Sequence, residues 1–249
     1  MSGRRAHRAR PSARSQHFLR TSALAAQLVR DACVGADDLV LDLGAGSGRL
    51  TAELAHVARR VIAVELERKW AAALRGRWPN VEVIEGDAAR IQLPGEPFRV
   101  VANLPFDRTT DLLRLLFDDP RAAPVRADLI VEWAVAVKRG VPWPSTLNDV
   151  VWGAFYETRV ERRLPRIAFE PVPGVDAGVL VFTRRAKPLI PLGLAHKYRR
   201  FAARGFRHGL RAVAPARTLK GISERGATPR DLDAHQWAEL FLRQKHPDR

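Results

Sequence analysis

The sequence contains one cysteine and no long run of apolar residues. A single cysteine, Cys33, excludes a disulfide within one chain and a cysteine-rich metal site. No apolar stretch approaches the ~18 residues that a membrane-spanning helix needs, and no apolar segment of a secretory signal follows the basic N-terminus. These absences favour a cytoplasmic protein that binds no metal. With 249 residues and 46% hydrophobic content, the chain can form one sizeable core.

Acidic residues are scarce at both ends of the chain, where the basic residues collect. Residues 1–20 carry six arginines and no acid, and residues 185–249 carry fifteen Lys and Arg against five Asp and Glu. The 164 residues between them carry 21 basic and 22 acidic side chains, so they are close to neutral. We expect the basic ends to hold the phosphate backbone of a nucleic acid. A solvated arginine-rich surface is the alternative.

Strand-like and helix-like segments alternate along the neutral centre. Apolar runs predict strands at residues 39–43, 60–65, 81–85, 98–103 and 127–133. Helical spacing predicts helices at residues 48–58, 67–77 and 109–118. A final antiparallel pair of strands is expected at residues 152–164 and 177–185. The alternation predicts an α/β fold class, with a mostly parallel sheet covered by helices on both faces.

Composition divides the chain into three predicted parts. They are a disordered basic arm at residues 1–14, an α/β domain at residues 15–187 and a small basic helical domain at residues 188–249. Thr228 with Pro229 after it, and Asp231 three residues on, predicts the start of the last helix.

A glycine-rich loop follows the first predicted strand. Gly44, Gly46 and Gly48 permit a tight turn and a close backbone approach to a ligand, at the start of a helix. The acid that ends the second strand, Glu65, suits the two hydroxyls of a ribose. The spacing G-x-G-x-G after Asp42 differs from the G-x-G-x-x-G of nicotinamide-binding loops and resembles the loop of class I methyltransferases. The alternative is a glycine-rich turn that only joins strand to helix.

A further acid, Asp87, ends the third predicted strand. At that strand end its carboxylate can accept a hydrogen bond from the amino group of an adenine. An aspartate in a surface turn is the alternative. If both acids bind a ligand, Glu65 takes its ribose and Asp87 its base.

A polar turn follows the fourth predicted strand, at the sheet edge where ligands bind in open α/β folds. It consists of Asn103, Leu104, Pro105 and Phe106, and we call it the catalytic turn after the role that we expect for it. The amino group of adenine is a poor nucleophile, because its lone pair is delocalised into the ring. Two acceptors, the Asn103 side-chain carbonyl and the Leu104 main-chain carbonyl, can localise that lone pair. Pro105 fixes the turn and Phe106 can stack on an extruded base. The alternative is an ordinary turn leaving a strand.

Four segments carry a family resemblance. The turn fits the N-[IL]-P-[FY] motif of the rRNA adenine N6-methyltransferases, and residues 15–19 resemble that family's N-terminal Q-N-F-L motif. Residues 169–176 resemble its F-x-P-x-P-x-V-[DS] segment, and residues 236–241 are similar to the C-terminal end of the Erm branch. The resemblance implies a Rossmann-like class I methyltransferase sheet with a small C-terminal helical domain. It also implies S-adenosylmethionine as the cofactor, an adenine of 23S rRNA as the substrate, and resistance to macrolides, lincosamides and streptogramin B.

The resemblance also implies roles for single residues. Those implied to bind the cofactor are Gln16, His17, Leu19, Gly44, Gly46, Glu65, Leu66, Asp87, Ala88 and Asn103. Those implied to be catalytic are Asn103, Leu104, Pro105, Phe106 and Phe169. Of these, Phe169 is implied to pack on the target base. His17 stands where the family motif has asparagine, and a histidine can still donate to a carboxylate of the cofactor.

The basic helical segment is expected to bind RNA. The arginines expected to contact phosphates are Arg199, Arg200, Arg204, Arg207 and Arg211. Phe201 and Phe206 lie at helical spacing and are predicted to face the core, although stacking on bases is the alternative. Because the target adenine must leave its stack, we expect looped or partly unfolded 23S rRNA as the substrate, rather than an assembled ribosome. A monomer is the expected state.

Two other interpretations of the chain stay open. The small-subunit rRNA adenine dimethylase has the same catalytic turn but a differently built C-terminal domain, whereas DNA adenine methyltransferases usually carry D-P-P-Y. A non-catalytic RNA-binding or transcription-factor relative is also compatible with the fold, although it need not keep both the cofactor loop and the catalytic turn.

Overall fold

The structure is a computed structural model that describes residues 16–224 and 226–245. The predicted disordered arm at residues 1–14 lies outside this part of the chain. The strands are β1 (Phe18–Leu19), β2 (Leu39–Leu43), β3 (Arg60–Glu65), β4 (Val81–Glu85), β5 (Arg99–Asn103), β6 (Arg126–Glu132), β7 (Tyr156–Leu164), β8 (Phe169–Glu170) and β9 (Ala177–Arg184). The α-helices are α1 (Ser22–Asp31), α2 (Arg49–Val57), α3 (Arg68–Leu74), α4 (Thr109–Phe117), α5 (Trp133–Arg139), α6 (Leu147–Gly153), α7 (Ala195–His208), α8 (Ala216–Lys220) and α9 (Ala234–Lys245).

The main sheet has seven strands in the order β4-β3-β2-β5-β6-β9-β7. The five strands from β4 to β6 run parallel, and β9 and β7 pair antiparallel at the far side. This arrangement confirms the predicted α/β class and the predicted final antiparallel pair. The chain order reverses on either side of β2, which pairs with both β3 and β5. Ligands of open α/β sheets bind at such a switch point, outside the carboxyl ends of the strands.

Both faces of the main sheet are covered around its middle strands, which explains why β2 and β5 are largely apolar and buried, whereas β4 and β7 have exposed polar side chains. Successive side chains of a strand point to opposite faces. Accordingly, Val40 of β2 packs in the cluster that contains α1 and α2, whereas Leu39 and Leu41 pack in the cluster that contains α4. Burial on both faces is typical of parallel sheets.

Two predicted boundaries are wrong for local reasons. The strand expected to begin at residue 152 begins at Tyr156, because a capping box between Thr146 and Asp149 starts helix α6 instead. The last helix begins at Ala234 rather than at Thr228. Its N-terminal N–H groups are met by Asp233 and Gln236: the Asp233 carboxylate accepts from the Gln236 amide at 2.8 Å, and the Gln236 side chain accepts from the Asp233 amide at 2.9 Å.

The C-terminal helices pack on α6 through aromatic side chains. On α7, the rings of Phe201 and Phe206 lie 6.1 and 5.6 Å from the Trp237 ring of α9. This packing confirms the prediction that both phenylalanines face the core. The Tyr198 hydroxyl donates to the Val150 carbonyl of α6 at 3.5 Å. One cluster of buried side chains therefore runs from the sheet into the C-terminal helices.

Among the residues that the structure describes, no helix combines the length and the apolar character that crossing a bilayer would require.

Candidate cofactor and catalytic site

A pocket with an empty volume of about 820 Å³ lies at the carboxyl ends of β2, β3, β4 and β5. The predicted site residues that line it are Gln16, His17, Gly44, Gly46, Glu65, Leu66, Asp87, Ala88, Asn103, Leu104, Pro105 and Phe106. These residues come from separate segments of the sequence, and the parallel sheet brings their strand ends to one edge. The structure therefore places most of the predicted residues around a single pocket.

The glycine loop takes a conformation that requires glycine. Gly44 and Gly46 have φ values of +78° and +54°, a region that other residues rarely adopt. A Cβ at Gly46 would lie 2.5 Å from the Phe18 ring, and a Cβ at Gly44 would lie 3.2 Å from Pro105. The loop is therefore closely packed between the N-terminal segment and the catalytic turn. This packing leaves little room for a side chain at Gly44 and none at Gly46.

The acid at the end of β3 is oriented by main-chain donors. Glu65 is 4% exposed, and its carboxylate accepts from the Gly46 amide at 2.7 Å and from the Glu67 amide at 2.8 Å. Each carboxylate oxygen has lone pairs for more than one hydrogen bond, so a ribose hydroxyl can still be accepted. The Glu65 carboxylate, held by two main-chain amides, therefore fits the ribose of a nucleoside.

A second buried acid lies beneath the glycine loop. Asp42 is 1% exposed and accepts a hydrogen bond from the Thr51 hydroxyl at 2.7 Å. Burial raises the pKa of Asp42 from 3.8 to about 7, the Thr51 hydrogen bond lowers it in part, and the charge of Glu65 raises it further. Asp42 therefore links β2 to helix α2 inside the core.

Asp87 is held by a neighbour that sequence reasoning missed. Its carboxylate accepts from the Ala89 amide at 3.0 Å, and Arg108 Nη2 lies 3.4 Å from its Oδ2. Arg108 also lines the pocket. The signal in the sequence that could have found Arg108 is its position two residues after the catalytic turn, which was predicted to face a ligand.

The catalytic turn presents an unused acceptor. The Asn103 side-chain nitrogen donates to the His17 main-chain carbonyl at 2.6 Å. The opposite end of this amide, Oδ1, is buried and has no hydrogen-bond partner among the described residues. A buried acceptor without a partner costs about 1–3 kcal/mol, which a donor from a ligand would recover. The amino group of a target adenine is such a donor.

Two predicted site residues lie outside this pocket. Leu19 borders a smaller adjoining cavity that it shares with Asp42 and Arg49. Phe169 is 0% exposed and packs in the same core cluster as Leu19, with which it pairs between β1 and β8. A fully buried ring has no face free for a base, so the prediction that Phe169 packs on the target base does not fit the structure.

The predicted RNA-binding arginines divide into two groups. Four of them are exposed: Arg200, Arg204, Arg207 and Arg211. The first three lie on α7 at i, i+4 and i+7, so they share one face of the helix. Arg199 differs because it forms an ion pair with Asp118 and donates to Asn148 at 3.1 Å. The Arg199 guanidinium therefore links α7 to Asp118 and Asn148. The prediction that Arg199 contacts a phosphate does not fit this ion pair.

Fold and pocket together define the class of protein: a Rossmann-like methyltransferase whose pocket suits S-adenosylmethionine and whose polar turn suits an amino nitrogen. Comparison with known families agrees with this class. The family model described as ribosomal RNA adenine dimethylase matches residues 6–213. The chain belongs to this family.

Individual relatives give the same result. The chain is 35% identical over 216 residues to the mycinamicin-resistance protein MyrB of Micromonospora griseorubida, which covers 81% of this chain and 68% of that protein. It is 34% identical over 203 residues to ribosomal RNA small subunit methyltransferase A of Rhodococcus erythropolis, covering 76% of this chain and 67% of that protein. The crystal structure of the 23S rRNA methyltransferase ErmE superposes with a TM-score of 0.80 at 27% identity, covering 92% of this chain and 100% of that one.

These findings confirm the predicted enzyme class. The chain is an rRNA adenine N6-methyltransferase, and its cofactor is S-adenosylmethionine, as in the rest of the family. Glu65 and the glycine loop fit the nucleoside part of that cofactor, and the unpartnered Asn103 Oδ1 fits the methyl-accepting amine.

Proposed function

We propose that this enzyme methylates N6 of an adenine in 23S rRNA, and that the modification confers resistance to macrolides, lincosamides and streptogramin B. The observation that carries the proposal is the fit to ErmE: the superposition covers 92% of this chain and 100% of that one, with a TM-score of 0.80. The relation to MyrB supports the resistance part of the proposal.

The proposed chemistry places the acceptor amine at the catalytic turn. Bound S-adenosylmethionine supplies an activated methyl group on a sulfonium. The Asn103 Oδ1 and the Leu104 main-chain carbonyl accept the two amine hydrogens, which localises the lone pair and stabilises the positive charge that develops on nitrogen. Pro105 fixes the turn, and Phe106, which lines the pocket, stacks on the extruded adenine.

The proposed cofactor contacts follow from the positions of the two acids. Glu65 holds the ribose hydroxyls, and Asp87, steadied by Arg108, accepts from the adenine amino group of the cofactor. The other residues proposed to line the cofactor are Gln16, Gly44, Gly46, Leu66 and Ala88, together with the main chain of His17. Leu19 does not line this pocket, and we propose that it supports the cofactor site indirectly from the adjoining cavity.

The proposed RNA contact is the exposed arginine face of α7. Arg200, Arg204 and Arg207 meet phosphates there, together with the exposed Arg211 just after the helix, while Arg199 stays in its ion pair with Asp118. We further propose that residues 15–187 act as the catalytic domain and residues 188–249 as the RNA-binding part, in a monomer. A substrate that is looped or partly unfolded rRNA, rather than an assembled ribosome, gives the base room to leave its stack.

Transfer of labelled methyl groups tests this proposal. Purified enzyme is given labelled S-adenosylmethionine with protein-free 16S rRNA, protein-free 23S rRNA and intact large subunits, and Asn103→Ala serves as the inactive control. We expect label in protein-free 23S rRNA and a reverse-transcription stop at one adenine when two methyls are added. Label confined to 16S rRNA would assign the small-subunit activity instead. Equal labelling of intact large subunits would refute the preference for unassembled rRNA.

A further inference from the structure

Gln16, His17 and Phe18, at the start of the described residues, line the pocket. We call residues 16–19 the strap. Its second half is fixed on three sides: β1 pairs antiparallel with β8, Arg49 Nη1 donates to the Leu19 carbonyl at 2.6 Å, and the Phe18 ring packs 5.2 Å from the Trp70 ring. The first half of the strap contacts the catalytic turn.

The hydrogen bond between the strap and the catalytic turn fixes the orientation of the Asn103 side-chain amide. An asparagine side chain presents an acceptor at one end and a donor at the other, and half a turn about its terminal bond exchanges them. The His17 main-chain carbonyl can only accept, and it receives the Asn103 Nδ2 hydrogen at 2.6 Å. Asn103 Oδ1 is thereby the buried end, for which the described residues provide no hydrogen-bond partner. With the amide reversed, an NH₂ group would meet the substrate amine and accept nothing from it.

The His17 side chain holds this carbonyl in place. His17 Nδ1 lies 2.8 Å from the Pro171 carbonyl oxygen, which can only accept, so Nδ1 carries the hydrogen. The imidazole also packs 5.7 Å from the Phe106 ring of the catalytic turn. The imidazole therefore connects the strap to the segment after β8 on one side and to the turn on the other.

We propose that His17 is a positioning residue. Its imidazole anchors the strap to Pro171, and its main-chain carbonyl then holds the Asn103 amide with Oδ1 toward the acceptor amine. The proposal rests on the role of Asn103 given above. It assigns the side chain of His17 to the catalytic turn rather than to the carboxylate of the cofactor. The asparagine of the family motif can serve the same anchor, because its amide nitrogen occupies nearly the position of an imidazole Nδ1.

Four single variants test the anchor. His17→Ala removes both ring and donor, and His17→Phe keeps a ring without a donor. His17→Asn keeps a donor near the Nδ1 position. His56→Ala, an exposed histidine of α2 outside the site, is the matched control. Should His17→Ala fail to fold, His17→Phe carries the same test, because it retains the packing on Phe106.

Three measurements are made on each variant. The first is the single-turnover rate of methyl transfer to the rRNA that the wild-type enzyme methylates. The second is the Kd of S-adenosylhomocysteine by calorimetry. The third is the pair of side-chain NH₂ signals of Asn103 in ¹⁵N–¹H spectra, assigned by their loss in Asn103→Ser. The NMR and calorimetric measurements need no active substrate, so they test the anchor even if the 23S assignment fails.

The donor-free variants, His17→Ala and His17→Phe, should lower the transfer rate about tenfold, the scale of one lost hydrogen bond on an ordered group, and shift the Asn103 NH₂ signals. Their Kd for S-adenosylhomocysteine should stay within about threefold of the wild-type value. His17→Asn should restore rate and signals, and His56→Ala should change neither. Loss of cofactor affinity in proportion to rate would overturn the proposal, since His17 would then bind the cofactor. Unchanged NH₂ signals in the donor-free variants would also overturn it.

Discussion

The Glu65 carboxylate accepts a hydrogen bond from the main-chain amide of Gly46 at 2.7 Å. This bond joins the acid at the end of β3 to the glycine loop at the end of β2, nineteen residues apart in the chain. The loop thus fixes the orientation of the acid that we propose to hold the ribose of the cofactor. An arrangement that is already formed reduces the entropy lost on binding.

Replacing Gly46 should disrupt cofactor binding. In Gly46→Ala the new Cβ meets the Phe18 ring at 2.5 Å in a backbone conformation with φ of +54°, so the loop and its bond to Glu65 must shift. We expect the Kd of S-adenosylhomocysteine, measured by calorimetry, to rise at least about tenfold, since the left-handed strain alone costs ~1–2 kcal/mol. Gly95→Ala is the control, because no atom of the residues that the structure describes lies within 4 Å of its Cβ. An unchanged Kd in Gly46→Ala would show that the loop is not part of the cofactor site.

Removing the catalytic amide should affect the chemical step and spare cofactor binding. Asn103→Ala deletes the buried Oδ1 acceptor, so we expect the single-turnover rate of methyl transfer to fall on the order of 100-fold. The Kd of S-adenosylhomocysteine should change by less than about threefold. Asn148→Ala on α6 is a matched asparagine outside the site and should keep the wild-type rate. If Asn103→Ala retained most of its activity, the turn would not be the catalytic element.

Titration of Asp42 should change stability with pH. Burial raises the pKa of Asp42 from 3.8 to about 7, so the folded state favours the protonated carboxyl. The stability that this group contributes is fully present below pH 3.8 and is lost as the pH rises to about 7. Asp42→Asn keeps an acceptor for Thr51 and cannot ionise.

Thermal unfolding of both proteins between pH 4 and pH 8 checks this expectation. The Tm of Asp42→Asn minus that of the wild type should increase with pH through that interval and level off above about pH 7. A difference that stays constant across the whole interval would mean that Asp42 titrates outside it.

Charge removal on α7 should weaken RNA binding in a salt-dependent way. Arg200, Arg204 and Arg207 share one exposed face, so the triple change to Gln removes three candidate phosphate contacts. The slope of log K against log salt should become shallower by about 2, at ~0.7 per phosphate contact on single-stranded RNA. Filter binding at several salt concentrations measures this slope.

A control for the arginine change is available at the start of β3. Arg59 and Arg60 stand where β3 begins, and both form exposed ion pairs, with Glu96 and Glu82. Exposed ion pairs contribute little to stability, so Arg59→Gln with Arg60→Gln should fold normally and keep the wild-type salt slope. If both combinations reduced the slope equally, binding would depend on net charge alone and α7 would not be a specific contact.

Local patterns in the sequence were sufficient to predict the sheet. The predicted strands at residues 39–43, 60–65 and 81–85 have the boundaries seen in the structure. The first is buried along its whole length, as its continuous apolar run predicts, whereas Glu82 and Glu85 of the last are exposed. Helices α1, α5 and α6 were not predicted. The reason in α6 is local: a capping box at Thr146 overrode the strand propensity of the residues after it.

The residue types of the site could also be predicted from the sequence, because glycines, acids and an Asn-Leu-Pro-Phe turn at strand ends are each required by the chemistry. Their partners could not. The bond from Asn103 to His17 links residues 86 positions apart, and no periodicity encodes such a contact. Likewise, sequence position alone does not distinguish the exposed Arg200 from Arg199, which pairs with Asp118.

The amino-acid sequence by itself therefore determined the sheet, the glycine loop and the chemical groups at the strand ends, since apolar periodicity and glycine conformation act over a few neighbouring residues. Only the tertiary structure decided that Phe169 is buried, that Glu65 is bonded to Gly46, and which end of the Asn103 amide faces the pocket. These properties depend on hydrogen-bond partners and packing that come from distant segments, and such segments meet only when the chain has folded.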